Sequence, residues 1–151
     1  MPTVHMLIGI PGSGKTTFGR KLQKELNIPI ISTDATRNLH PTWKEDKIWP
    51  EVYRLCRELL SSKQDFIFDA TNITPEVRKA FRERIKPIGV DYDIAAYYIK
   101  ADWHECYRRI TIRNTIPGER YFPLDLVEDY GKRLIPPTLD EGFIFIKEIE
   151  E

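Results

Sequence analysis

Apolar residues follow two different periods along this chain. Residues 3–10 (TVHMLIGI) form an apolar run that ends in glycines, the pattern of a strand buried on both faces. From Thr16 to Leu26 the period changes, and Phe18, Leu22 and Leu26 recur every fourth residue as one helical stripe. Residues 28–31 predict a second short strand. A polar stretch with Asn38, Pro41 and Pro50, holding Trp43 and Trp49, then precedes Val52, Leu55, Cys56, Leu59 and Leu60 at helical spacing. Residues 66–68 predict a third strand ending at Asp69. Thr74 and Pro75 read as an N-cap with proline at the first helical position, opening a helix that carries Val77, Ala80, Phe81 and Ile85. Residues 92–99 predict a fourth strand. Asp102 and Glu105 have capping-box spacing ahead of an apolar face of Trp103, Cys106, Tyr107 and Ile110. A loop near Pro117 and Gly118 leads to a helix starting about Pro123. Residues 143–146 predict the last strand, with Glu148, Glu150 and Glu151 as a solvated tail.

Strands alternating with helices imply an α/β fold, a parallel sheet covered by helices on both faces and joined by right-handed crossovers. No internal repeat or linker interrupts the 151 residues, so one domain over 1–151 is expected. Composition adds three exclusions. With 41% hydrophobic and 30% charged residues the chain is globular rather than disordered. Its 23 basic and 23 acidic side chains cancel, which argues against a protein held on long nucleic-acid tracts by a global positive field. A local patch contacting one nucleic-acid end remains compatible. Cys56 and Cys106 lack metal-ligand or disulfide-framework spacing, and the N-terminal apolar run is too short to span a membrane. The expectation is a cytoplasmic protein with no membrane partner.

The most specific motif lies at the first strand-to-helix turn. Gly9-Ile-Pro-Gly-Ser-Gly14-Lys15-Thr16 fits G-x-x-x-x-G-K-[ST], with a strand before it and a helix after it. Glycines let backbone N–H groups curl around phosphate oxygens, and the helix N-terminus adds its positive end. The cradle comprises Gly9, Pro11, Gly12, Ser13, Gly14, Lys15, Thr16 and Thr17. Lys15 reaches the β- and γ-phosphates and Thr16 offers its hydroxyl to Mg²⁺, so ATP or another nucleoside triphosphate and Mg²⁺ are the expected cofactors.

What receives the phosphate must come from elsewhere. Asp34 follows the second strand at the carboxyl edge of the sheet, with Arg37 three residues on. Two readings stand: Asp34 takes a hydroxyl proton while Arg37 holds an acceptor phosphate, or Asp34 caps a short helix and Arg37 pairs with it. Asp69 closes an apolar strand as a Walker B aspartate does, placed to orient Mg²⁺ through water, or it is a strand-end turn residue. Thr71 and Asn72 either contact the acceptor or form the turn into the next helix. Arg109 and Arg113 sit side by side at the edge of an apolar helix face, with Arg108 roughly opposite. Such a pair repels itself unless an anion lies between, as triphosphate oxygens would, or unless Glu105 and Glu119 offset it on a solvated face. A lid over about 109–122 is expected to carry the pair. Trp43, Trp49 and Tyr53 either stack a nucleobase or pack, and His5 is read as structural.

Together these residues resemble the polynucleotide 5′-hydroxyl kinase family over nearly the whole chain. The resemblance rests on residues 9–17, Asp34-x-x-Arg37, Asp69-Ala-Thr-Asn72-Ile-Thr-Pro-Glu76, Trp103 through Arg113, and Phe122-Pro-Leu-Asp125. It implies an adenylate-kinase-like P-loop fold with a five-stranded sheet of order 2-3-1-4-5. It implies ATP-dependent transfer of the γ-phosphate to a 5′-hydroxyl end of RNA or DNA, in a nucleic-acid repair setting. It assigns Lys15 and Thr16 to ATP and Mg²⁺, Asp34 to the general base, Arg37 to the acceptor phosphate, and Arg109 and Arg113 to donor phosphates. Two departures stand out: Ala70 fills the slot where the family's phage member has an aspartate before Thr-Asn, and residues 38–50 match poorly. No phosphatase motif D-x-D-x-[TV] is present. The alternatives are a kinase of small hydroxyl compounds (sugars, nucleosides, antibiotics) on the same scaffold, or a nucleotide-binding module without catalysis.

Overall fold

A computed structural model describes residues 1–150. Five parallel strands form one sheet in the order β2-β3-β1-β4-β5, as the family resemblance implies. The strands are β1 (Thr3–Ile8), β2 (Ile30–Ser32), β3 (Phe66–Asp69), β4 (Asp93–Lys100) and β5 (Ile146–Glu150). The helices are α1 (Lys15–Leu26), α2 (Thr33–Leu39), α3 (Glu45–Ser61), α4 (Pro75–Ile85), α5 (Trp103–Arg113) and α6 (Leu124–Arg133).

The two-residue period of a strand divides β1 between two cores. Val4, Met6 and Ile8 face α3 and α4, meeting Val52, Cys56, Leu60, Phe81 and Ile85. Leu7 faces the other way, toward Phe18 and Leu22 of α1. Gly19 lets α1 lie close, since a Cβ there would sit 3.0 Å from Leu7 Cδ1. A third cluster, Ile10, Ile73, Cys106, Ile110 and Val127, joins α5 and α6 to the loops above the sheet. Among the described residues, no helix is long and apolar enough to cross a membrane.

Several elements differ from the sequence expectation. The last strand begins where it was expected to end. Phe143 fills the core beneath the sheet, and the left-handed Gly142 (φ 98°) turns the chain before it joins β4. Pairing then runs from Ala96↔Ile146 to Lys100↔Glu150. Glu148 and Glu150 are therefore strand residues beside Lys100, at 3.7 and 3.8 Å, while Glu151 lies outside the described residues. The polar stretch around 38–50 holds α2 and the start of α3, with Pro50 inside that helix. Pro50 lies in the second turn of α3, where its missing N–H forgoes one intrahelical hydrogen bond. Tyr107 and Leu26 are exposed rather than on buried faces. Asp102 caps α5 through His104 N, but Glu105 turns to Arg108 and Arg109 and closes no capping box.

Candidate active site

The carboxyl ends of β1, β2 and β3 open on one cleft of about 800 Å³, the position where ligands bind in open α/β sheets. Its floor is the turn after β1. Gly12 and Gly14 both have positive φ (81° and 93°), which only glycine adopts freely. Gly12 is also fixed by space: a Cβ would lie 2.9 Å from Cys106 O on α5. Gly14 caps α1 without any side-chain bond, so the helix N-terminus stays open to an anion. Gly9 N donates to Thr71 O at 3.1 Å and ties this turn to the one after β3.

Lys15 Nζ donates to Asp69 Oδ1 across the cradle, both groups largely buried. Thr16 and Thr17 are exposed and line the cleft. Arg109 Nη1 donates to Gly12 O at 3.0 Å, so α5 delivers its arginines directly over the phosphate turn, and Arg113 lines the cleft one turn further on. Burial pushes the neighbouring Cys106 thiol up to about 11, with Arg109 opposing, which keeps that thiol protonated and inert.

Asp34 stands on the opposite wall. The cap of α2 is not Asp34 but Ser32, whose Oγ accepts from Ala35 N at 3.2 Å. The Asp34 carboxylate is thereby free for two arginines: Arg37 Nη1 at 2.7 Å and Arg120 Nη1 at 3.2 Å, both on Oδ1. Among the described residues Oδ2 has no hydrogen-bond partner. Arg37 is further held by Glu45, Nε to Oε1 at 2.8 Å and Nη2 to Oε2 at 3.4 Å. Burial opposes its charge, but Glu45 and Asp34 outweigh burial and raise its pKa above the ordinary value. Arg120 comes from the loop between α5 and α6. Asn114 closes that loop at its base, accepting from Phe122 N and donating to Phe122 O, each at 2.9 Å.

The structure thus brings Pro11, Gly12, Gly14, Lys15, Thr16, Thr17, Asp34, Arg37, Thr71, Arg109 and Arg113 to one cleft. Ser13 is buried beneath the turn, with Oγ unpartnered. Gly9 and Asp69 lie behind the lining, and Asn72 does not reach it. Asn72 is buried with φ 48°, and its Nδ2 donates to Leu7 O at 2.8 Å. Arg78 braces it from behind, Nη1 to Asn72 O at 2.8 Å, and is itself paired with Glu141 at 2.7 Å. Of the weighed aromatics only Trp49 lines the cleft; Trp43 packs on the core and stacks on His40, and Tyr53 is buried. Arg120, Glu45 and Tyr121 are lining residues the sequence did not single out. The cue for Arg120 was a third arginine within the expected lid, but helical spacing does not extend into a loop.

Five cations (Lys15, Arg37, Arg109, Arg113, Arg120) and two carboxylates (Asp34, Glu45) line the cleft. A chain of zero net charge therefore concentrates positive charge where phosphates would lie. For Mg²⁺, the exposed Thr16 hydroxyl and the Asp69 carboxylate behind Lys15 are oxygen donors of the kind that ion takes. The donor set fits it.

The strand order, the glycine turn with its lysine and the arginine-bearing α5 define the class: an adenylate-kinase-like P-loop kinase fold. The chain belongs to a family described as an AAA domain, whose model matches residues 4–137. It is 28% identical over 125 residues to an adenylate kinase of Thermosipho africanus, covering 72% of this chain and 58% of that protein. The chain thus spans less than two-thirds of that curated relative. Among solved structures, a gluconokinase from Sinorhizobium meliloti superposes with a TM-score of 0.65 at 19% identity, over 99% of this chain and 82% of that one. A fungal RNA kinase superposes at 0.72 with 16% identity, over 99% of this chain and 39% of that one. At those identities the likeness is one of fold.

Proposed function

We propose that this protein transfers the γ-phosphoryl group of ATP to the 5′-hydroxyl end of RNA or DNA. The observation that carries this reading is the Asp34 carboxylate: two arginines hold Oδ1, Oδ2 has no hydrogen-bond partner among the described residues, and Asp34 lines the cleft that holds Lys15, Arg109 and Arg113. In the proposed reaction Oδ2 accepts the proton of the incoming hydroxyl. That oxygen bonds to the γ-phosphorus as the bond to the β,γ-bridging oxygen breaks, and ADP leaves. Lys15, Arg109 and Arg113 neutralise charge on the phosphoryl in transit. Arg37 keeps the Asp34 carboxylate oriented. Bound Mg²⁺ would offset the negative charge of the β- and γ-oxygens, with Thr16 holding it and Asp69 behind it through water. Trp49 and Tyr121 offer rings in the cleft against which a terminal base can stack.

A second reading, a small polyol acceptor such as the gluconate named for one structural neighbour, draws on Glu45. Glu45 and Asp34 already satisfy Arg37, so that wall needs no acceptor phosphate to balance its charge, and a small polyol hydroxyl could meet Asp34 without one. The deciding experiment is phosphate transfer from γ-labelled ATP with Mg²⁺ to 5′-hydroxyl RNA and DNA oligonucleotides. A 5′-phosphorylated oligonucleotide is the blocked control, and gluconate and free nucleosides run in parallel. Label on the 5′-hydroxyl strands far above that on free nucleosides or gluconate, and lost in Asp34→Ala, is the expected result. Label only on the small acceptors replaces the polynucleotide reading. ATP binding without any labelled acceptor leaves a nucleotide-binding module.

A further inference from the structure

The family resemblance gives the acceptor phosphate to Arg37, but the contacts of Arg37 point elsewhere. Its Nε and Nη2 edge is taken by Glu45 and its Nη1 by Asp34, and its side chain is 22% exposed. A phosphate arriving there would have to displace a carboxylate bound through two nitrogens. Arg120 is the opposite case. Its side chain is 52% exposed, and its one hydrogen bond among the described residues is Nη1 to Asp34 Oδ1 at 3.2 Å. The Nε and Nη2 edge, the fork that matches phosphate oxygens, is free. The backbone sets its position. Asn114 pins both the N–H and the C=O of Phe122, two residues beyond Arg120, so the backbone that carries Arg120 is anchored next to the site. The same loop starts where α5 ends, one residue after Arg113.

We infer that Arg120, not Arg37, reads the phosphate of the acceptor, its free edge on that phosphate while Nη1 remains on Asp34. This rests on the 5′-hydroxyl reading and deepens it. One guanidinium spanning base and substrate phosphate fixes their separation. It thereby selects a hydroxyl lying a nucleotide's length from a phosphate, as in a nucleotide phosphorylated on its 3′ side. Arg37 becomes a positioning residue that acts through Asp34.

The test compares two minimal acceptors, thymidine 3′-monophosphate and thymidine, in steady-state transfer and in calorimetric binding. The proteins are the parent, Arg120→Ala, Arg120→Lys and Arg37→Ala, each checked for an unchanged melting temperature. Arg120→Ala is expected to raise KM for the phosphate-bearing acceptor by about 10- to 100-fold more than for thymidine, the worth of a charged hydrogen-bonded contact. Arg120→Lys recovers part of that difference, as a point charge without the fork. Arg37→Ala lowers kcat for both acceptors alike. Equal penalties on both acceptors in Arg120→Ala, or loss of the phosphate's advantage in Arg37→Ala instead, overturn the inference while the kinase reading stands. A parent protein that binds and phosphorylates neither compound, and no oligonucleotide either, fells the 5′-hydroxyl reading and Arg120's role with it.

Discussion

On one wall of the cleft, Lys15 and Asp69 meet at the carboxyl edge of the sheet with side chains only 12% and 7% exposed. On the other, Asp34 stands 68% exposed, and its partners arrive from a helix surface and a loop. The buried wall is part of the core: its turn is bonded to Thr71, Asn72 and Leu7, and Arg78 and Glu141 brace it from behind. Altering it disturbs folding and chemistry together. The exposed wall is made of solvated ion pairs, each worth little to stability. Its charges can change at small cost to the fold, so under the proposed function acceptor choice can be altered there without disturbing the buried wall.

The comparison is sharpest at Asp34. Asp34→Asn keeps the shape but removes the base. It should lower kcat by about 10²–10⁴-fold while urea denaturation shifts by no more than about 0.5 kcal/mol. Activity within tenfold of the parent would remove Asp34 from the role of base. Lys15→Ala should do both kinds of damage: about 10²–10³-fold in kcat, and about 3 kcal/mol of stability because Asp69 is left buried without its partner. Adding Asp69→Asn should restore stability but not rate. A double variant as unstable as the single one contradicts the placing of this pair in the core.

Glu141→Ala tests the brace behind the buried wall. With Arg78 fully buried and stripped of its carboxylate, the loss should be about 3 kcal/mol, read from denaturant midpoints. Glu45→Gln, on the exposed wall, should leave stability within about 0.5 kcal/mol. By loosening Arg37, and through it Asp34, it should lower kcat by about two- to fivefold for phosphate-bearing and phosphate-free acceptors alike. A large stability loss there would erase the contrast between the walls.

The smallest effect is a pH slope from beneath the sheet. Burial holds the His5 pKa below its ordinary 6.5, with Asp65 opposing, and its Nδ1 lies 2.8 Å from Tyr97 Oη. The unfolded chain therefore takes up this proton first on acidification. The contribution is full above about pH 6.5 and is lost as pH falls from there through the lower folded value. His5→Gln should flatten the melting temperature between pH 7.5 and 5.5, and an unchanged slope assigns it to other groups.

The two walls also differ in how far the sequence disclosed them. Residues 9–16 and the strands around them are legible because the phosphate turn is local and its glycines obey a fixed spacing. The hydrophobic runs place β3 and β4 to within a residue of their ends and β1 to within two. The strand order is not in the pattern and came from the resemblance. The 143–146 run misleads because Phe143 is a core plug, while the real strand has only Ile146 and Ile149, half-buried against opposite cores, among exposed charges. Spacing leaves Asn72 as either an acceptor contact or a turn residue; its buried side chain, bonded to Leu7 O with φ 48°, fits the turn. On the exposed wall the informative contacts join Arg37 to Glu45 and Arg120 to Asp34, the latter across 86 residues. Exposed charges of either sign are common in any soluble chain, and nothing local marks which will meet.

The double hydrogen bond between Asn114 and Phe122 has a consequence for how such a protein can change. It ties off residues 115–121 at the neck, leaving a self-contained cassette on a fixed stem. A Cβ at Gly118 would meet nothing within 4 Å, so there is room at the tip. A segment of different length or charge can be exchanged there while α5 and the phosphate turn keep their places. New acceptors then become reachable by swapping seven residues rather than by rebuilding a domain.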